Sequence, residues 1–319
     1  MRALRRTIIV FLSCALPWLA NAQNYPTHPI RFFIPYSAGM IDTTARAVAQ
    51  RLSERLGQPV VPENRPGASQ IIALDALAKS APDGYTLGMG TQSGLVLLTA
   101  SKKSLPYDPL RDFQAISVLF STPFYLVVRP EIPVHSVAEL IAYAKAHPGK
   151  LHYASIGPGS GHHLVTELLK TKTGIDILHV PYRGSSQADT GLLSGDVEMM
   201  FEGPSILALV KTGKVRALAS SGAKRAKATP DLPTVGETVP GFAMATWFGL
   251  AAPAGVPRPI VDRINREVRE YLSDPATQQK FAAFNIELTP STPEEMAERV
   301  RTELPVWTKV MRSAGIQPE

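Results

Sequence analysis

Apolar and polar residues recur along this chain in two periods, and the two periods take turns. The run IRFFIPY (30–36) is apolar and aromatic and ends at a proline turn, which predicts a strand. From Asp42 the residues Ala45, Val48, Ala49, Leu52 and Leu56 recur at threes and fours, and Gly57 stops the helix they predict. A strand at 59–61, a helix over 69–79 and a strand over 84–90 follow, the last entered through Pro82-Asp83-Gly84. Further on, strands are predicted at 124–130, 151–155, 175–182, 197–201 and 215–220. Helices are predicted between them at 136–146, 161–171, 186–194 and 204–211, with Ser136 and Glu139 as a capping box. This alternation predicts an α/β chain with a parallel, doubly wound sheet in each of two domains.

After residue 257 the pattern is helical. Ile260, Ile264, Val268 and Leu272 are spaced by four. Thr292-Pro293-Glu294-Glu295 is a second capping box, and Met296, Val300, Leu304, Trp307, Val310 and Met311 form the stripe behind it, with a kink predicted at Pro305. Apolar runs near 118–128 and 242–251 sit where the chain would cross between domains and return. The division expected is residues 23–123 for the first domain, 124–246 for the second, and 247–319 returning to the first.

The first 22 residues read as an export signal. Arg2, Arg5 and Arg6 precede an apolar core, and Ala20-Asn21-Ala22 is a small-residue cleavage site. Without them, 33 basic residues against 27 acidic become a net charge near +3, and Cys14, the only cysteine, is lost. The mature chain of about 297 residues then has no disulfide and no thiol nucleophile, and the periplasm is its expected destination. So mild a charge does not argue for nucleic acid, but it suits a small anion.

Chemical motifs narrow the choice. His162-His163 has no spaced carboxylate partner, so no metal site is expected. Ser221-Gly222-Ala223-Lys224 resembles SxxK, but both KTG triplets, at Lys172 and Lys211, fall before it. Gly157-Pro158-Gly159-Ser160-Gly161 is no nucleophile elbow, and its glycines miss the dinucleotide fingerprint. No catalytic residue and no cofactor are expected. What remains is a strand end, a glycine-rich loop and a helix start, which together favour an anion. IPYSAGMIDTTAR (34–46) has the same arrangement, and GMGTQSG (88–94) offers hydroxyls at a third strand end. Two such loops facing across a hinge would grip a small acid from both sides.

ENRPGA (63–68), APDGYTL (81–87), LPYDPLRDF (105–113), HPGKLHYAS (147–155), HVPYRG (179–184), GKVRALA (213–219) and WFGL (247–250) carry a more specific signal. Their combination resembles the Bordetella uptake gene family, the extracytoplasmic solute receptors of tripartite tricarboxylate transporters. The resemblance spans residues 25–318. It implies a two-domain periplasmic-binding-protein fold, a carboxylic acid ligand, a membrane permease as partner and a monomeric receptor. It also implies ligand contacts at Tyr36, Ser37, Ala38, Gly39, Met40 and Asp42 in the first loop and at Thr91 and Ser93 after the third strand. In the second domain it implies Ser155, Gly157, Ser160, His163, Tyr182 and Glu202. A periplasmic sensor working with a kinase is the alternative, and an enzyme of this fold a distant third. In the first loop Met40 and Ile41 replace the usual small residues. With Ile71, Ile72, Leu95, Val96 and Leu97 they suggest an apolar wall, and hence a diacid with an aliphatic or aromatic body, a monocarboxylate being second choice and citrate disfavoured.

Overall fold

The computed structural model describes residues 25–282, 286–313 and 315–316. The segment expected to be an export signal, with its expected cleavage site, lies outside the described residues. Two sheets, each flanked by helices, make up the molecule. The first has the strand order β11 (Glu287–Leu288), β4 (Phe113–Pro123), β10 (Ala245–Pro253), β3 (Thr86–Thr91), β1 (Ile30–Ile34) and β2 (Val60–Asn64). The second has the order β7 (Leu178–Pro181), β6 (His152–Ser155), β8 (Met199–Glu202), β5 (Tyr125–Val128) and β9 (Arg216–Ser220).

In the first sheet β1 (Ile30–Ile34) pairs in parallel with β2 (Val60–Asn64) and β3 (Thr86–Thr91). The crossover helix α1 (Met40–Leu56) buries Ala45, Val48, Ala49, Leu52 and Leu56, the predicted stripe, and Gly57 closes it at φ 73°. Helix α2 (Ile71–Ala78) connects β2 to β3. A π-helical turn over Ser93–Leu97 and the short α3 (Leu98–Ser101) lead towards β4 (Phe113–Pro123).

The chain then passes through Phe124 into the second sheet as β5 (Tyr125–Val128). Helix α4 (Val137–Ala146) is capped by Ser136, which accepts from the Glu139 amide at 3.1 Å. The return bond of the expected capping box shifts by one residue, since the Glu139 carboxylate accepts from His135 N–H. Then come β6 (His152–Ser155), α5 (Gly161–Thr173), β7 (Leu178–Pro181), α6 (Ser185–Ser194), β8 (Met199–Glu202), α7 (Leu207–Lys211) and β9 (Arg216–Ser220). β10 (Ala245–Pro253) returns to the first sheet, followed by α8 (Arg258–Ser273), α9 (Pro275–Ala282), β11 (Glu287–Leu288) and α10 (Pro293–Ser313). The Thr292/Glu295 capping box forms in both directions, and α10 continues through Pro305 to Ser313.

The α/β architecture is as expected, but neither sheet is purely parallel. β10 runs antiparallel to β3 and β4, and β5 runs antiparallel to β8 and β9. The cause is where these strands come from. β10 and β5 each arrive from the other sheet, at the edge where the parallel strands end. Phe248 therefore lies opposite Thr91, and Tyr125 opposite Glu202. A strand entering there must run back against its neighbours. β4, which lies wholly outside the predicted strands, and the two-residue β11 complete the first sheet.

Candidate functional site

The strand ends Ile34, Asn64, Thr91, Ser155 and Glu202 border one space between the sheets, where open α/β sheets place ligands. A cavity of about 1020 Å³ lies there. Tyr36, Met40, Ile41 and Phe248 face it from the first sheet's side, and Ser160, His162 and Glu202 from the second's.

Three helix starts converge on it: α1 at Met40, α5 at Gly161 and α6 at Ser185. Each contributes roughly half a positive charge and first-turn N–H groups without a partner one turn back. α1 and α6 begin after Gly39 and Gly184, with no side chain capping them, and a Cβ at either glycine would meet open space. α5 begins at Ser160, whose hydroxyl accepts from His163 N–H at 3.3 Å and donates to the Gly157 carbonyl at 2.7 Å. Lys211 adds a cation to the rim of the lining.

The apolar wall exists with a partly different membership. Met40, Ile41 and Leu97 line the cavity as expected, joined by Leu98, Phe124 and Phe248. Leu95 and Val96 are buried in the core instead, Ile71 packs against it, and Ile72 is exposed. Those four do not line the cavity: their helical phase turns them away.

Of the residues implied by resemblance, Tyr36, Met40, Ser93, Ser160 and Glu202 line the cavity. Ser37, Ala38 and Gly39 are exposed in the loop just before α1. Asp42 is buried and turned to Arg46 at 3.0 Å and Asn64 at 2.7 Å. Thr91 lies beneath the lining, donating to Gln70 Oε1 at 2.6 Å and accepting from Gly94 N–H. Ser155 is fully buried, 2.6 Å from His179 Nε2, and its hydroxyl accepts from Gly157 N–H. His163 Nδ1 accepts from Gly159 N–H, and the ring stacks on His179 at 4.1 Å. These contacts brace the glycine loop from behind. Burial, then the neighbouring His163, pushes His179 down to about 4, so at neutral pH it carries no charge. The Ser155–His179 pair has the form of a nucleophile and base, but neither residue lines the cavity. Tyr182 packs its hydroxyl end against Gly191, away from the cavity.

Gln70 and Ser185 are lining residues that sequence reasoning passed over, and His162, weighed there only with His163 as a metal pair, lines the cavity as well. Gln70 donates to Tyr36 Oη at 2.9 Å, and burial pushes the Tyr36 phenol up, so the phenol stays protonated. Gln70 reaches this place through unusual backbone: Ala68, Ser69 and Gln70 have φ of 44°, 51° and 85°. Glu202 Oε1 accepts from His162 Nε2 at 3.2 Å, from Ser185 Oγ at 3.2 Å and from Gly203 N–H at 2.7 Å. Among the described residues no group of three or more His, Cys, Asp or Glu is placed to hold a metal, and no helix is long and apolar enough to cross a membrane.

Known proteins carry the same fold and much of the same sequence. Residues 44–316 match the model of the tripartite tricarboxylate transporter family receptor. Protein BugT of Bordetella pertussis is 36% identical over 323 residues, covering 99% of this chain and 98% of that one. An R. palustris protein solved with adipate superposes with a TM-score of 0.80 at 37% identity, over 92% of this chain and 100% of its own. MatC from Rhodopseudomonas palustris, solved with bound malate, has a TM-score of 0.73 at 29% identity, over 90% and 99%. With a family match across most of its length and relatives alike from end to end, the chain belongs to the tripartite tricarboxylate transporter receptor family.

Proposed function

We infer that this solute-binding protein captures a small carboxylic acid in the cavity between its sheets and hands it to a membrane permease of the tripartite tricarboxylate type, working in the periplasm. The observation that carries the ligand class is the convergence of three helix starts on one cavity that also has an apolar wall. Helix starts favour a carboxylate, and each charge-assisted hydrogen bond contributes roughly 1.5–3 kcal/mol. The wall of Met40, Ile41, Leu97, Phe124 and Phe248 favours an aliphatic or aromatic body over a hydroxylated one. A buried, unpaired ligand hydroxyl would cost about 1–3 kcal/mol. A diacid of this kind fits best, and the relative solved with adipate supports that choice.

Isothermal titration against mono-, di- and tricarboxylates tests the reading. Micromolar binding, about −8 kcal/mol, is expected for an apolar diacid, with citrate weaker. Absence of heat with every acid, or citrate as the tightest ligand, would contradict it.

A further inference from the structure

The carboxylate of Glu202 poses a problem for any anionic ligand. It sits at the cavity end of β8, 2% exposed, and it lines the space the acid would occupy. Its Oε1 takes three donors, while Oε2 is buried without a hydrogen-bond partner. His162 turns Nε2 to that carboxylate, and its own Nδ1 is buried without a partner. When His162 is neutral and donates through Nε2, Nδ1 is a bare acceptor. Behind them Asp189 Oδ1 is a third buried acceptor without a donor. Burial, then the charge of Glu202, pushes Asp189 up to about 6, with His162 opposing. Three atoms of this corner, Glu202 Oε2, His162 Nδ1 and Asp189 Oδ1, are thus acceptors that no donor of the protein reaches. Buried acceptors left unpaired are costly, and a ligand that brings a donor removes the cost.

An ionised carboxylate brings no donor, but a carboxyl group that keeps its proton does. We propose that the diacid binds with its far carboxyl against Glu202 and that the two groups share a single proton. One carboxylate of the acid stays ionised at the helix starts, and the other forms an O–H···O⁻ bond with Oε2, the strong class of charge-assisted bond. Two carboxylates in contact cannot both stay ionised, so the acid takes up a proton as it binds. This inference rests on the diacid reading above. The charged or titratable groups facing the corner are His162 from α5, Asp189 from α6, and Lys211 and Lys102 along the cavity lining.

The sign follows from linkage. If the complex holds one more proton than free protein and free dianion, affinity falls as pH rises, by up to tenfold per unit. The test is isothermal titration of the full mature chain with adipate between pH 5.5 and 8.5, in buffers of different ionisation enthalpy, which reads proton uptake directly. The expected result is uptake approaching one proton near pH 7 and affinity that weakens with pH. In Glu202→Gln the amide supplies the donor, so binding should become pH-independent with no uptake. His162→Gln and Asp189→Asn should keep the uptake. Adipate binding without uptake, or uptake that survives Glu202→Gln, would overturn the proposal while leaving the diacid reading intact. Loss of uptake in His162→Gln or Asp189→Asn would move the proton to that residue and also overturn it. Tighter binding of 6-aminohexanoate than of adipate would mean that the corner takes a cation. No adipate binding at any pH would remove both readings together.

Discussion

Ser160 joins the two functions of its loop in one hydroxyl: it caps α5 and lines the cavity. Ser160→Ala is expected to cost about 1 kcal/mol of stability as a lost cap. It should also weaken acid binding by roughly 1–3 kcal/mol, read by chemical denaturation and titration side by side. Thr91 is a contrast. It lies under the lining, so Thr91→Ala should lower stability by about 1–3 kcal/mol, leaving Gln70 Oε1 and Gly94 N–H short of a partner, with little direct effect on affinity. Asp189 gives a pH signature. Burial, then the charge of Glu202, pushes its native carboxyl up to about 6 against ~3.9 in the unfolded chain, so its contribution is fullest at low pH and is lost as pH rises through about 6. Asp189→Asn should therefore raise the melting temperature more at pH 8 than at pH 4. At this scale the sequence was only partly legible. The glycine-rich helix start marked Ser160, and the family resemblance implied Glu202. Of two adjacent histidines, however, only the fold tells that His162 meets Glu202 while His163 braces the glycine loop, because neighbours on a helix point about 100° apart.

Among the elements, the turn before α2 carries the strain. Ala68, Ser69 and Gln70 all have left-handed φ. A non-glycine residue held there costs of order 1–3 kcal/mol, and here the conformation delivers Gln70 to Tyr36 and Thr91. Ser69→Gly is expected to stabilise the protein by up to ~1 kcal/mol in denaturant unfolding, because glycine enters this region without a Cβ clash. A loss of stability would mean that the Ser69 side chain matters more than its backbone. The helices were legible because a 3.6-residue stripe is a local property: α1 buries the five residues its spacing picked out. Strand direction was not, because it depends on where a chain re-enters a sheet. β5 and β10 look like any apolar run until their partners are known.

The whole molecule has its two sheets joined by β4–β5 and by β10, with the cavity between them. Such a linkage allows the sheets to close on a ligand by bending at the crossings near Phe124 and Ala245. Small-angle scattering should then show a smaller radius of gyration with saturating diacid than without, and an identical profile would mean a cavity that does not close. The central claim is that the acid lies between the sheets with a carboxylate at the helix starts. A crystal structure grown with adipate tests it most directly. The result expected is one carboxylate within hydrogen-bond distance of Ser160 and the first turn of α5, the chain along Phe124 and Phe248, and the far carboxyl at Glu202. Adipate bound elsewhere, or with both carboxylates turned away from the helix starts, would contradict the account.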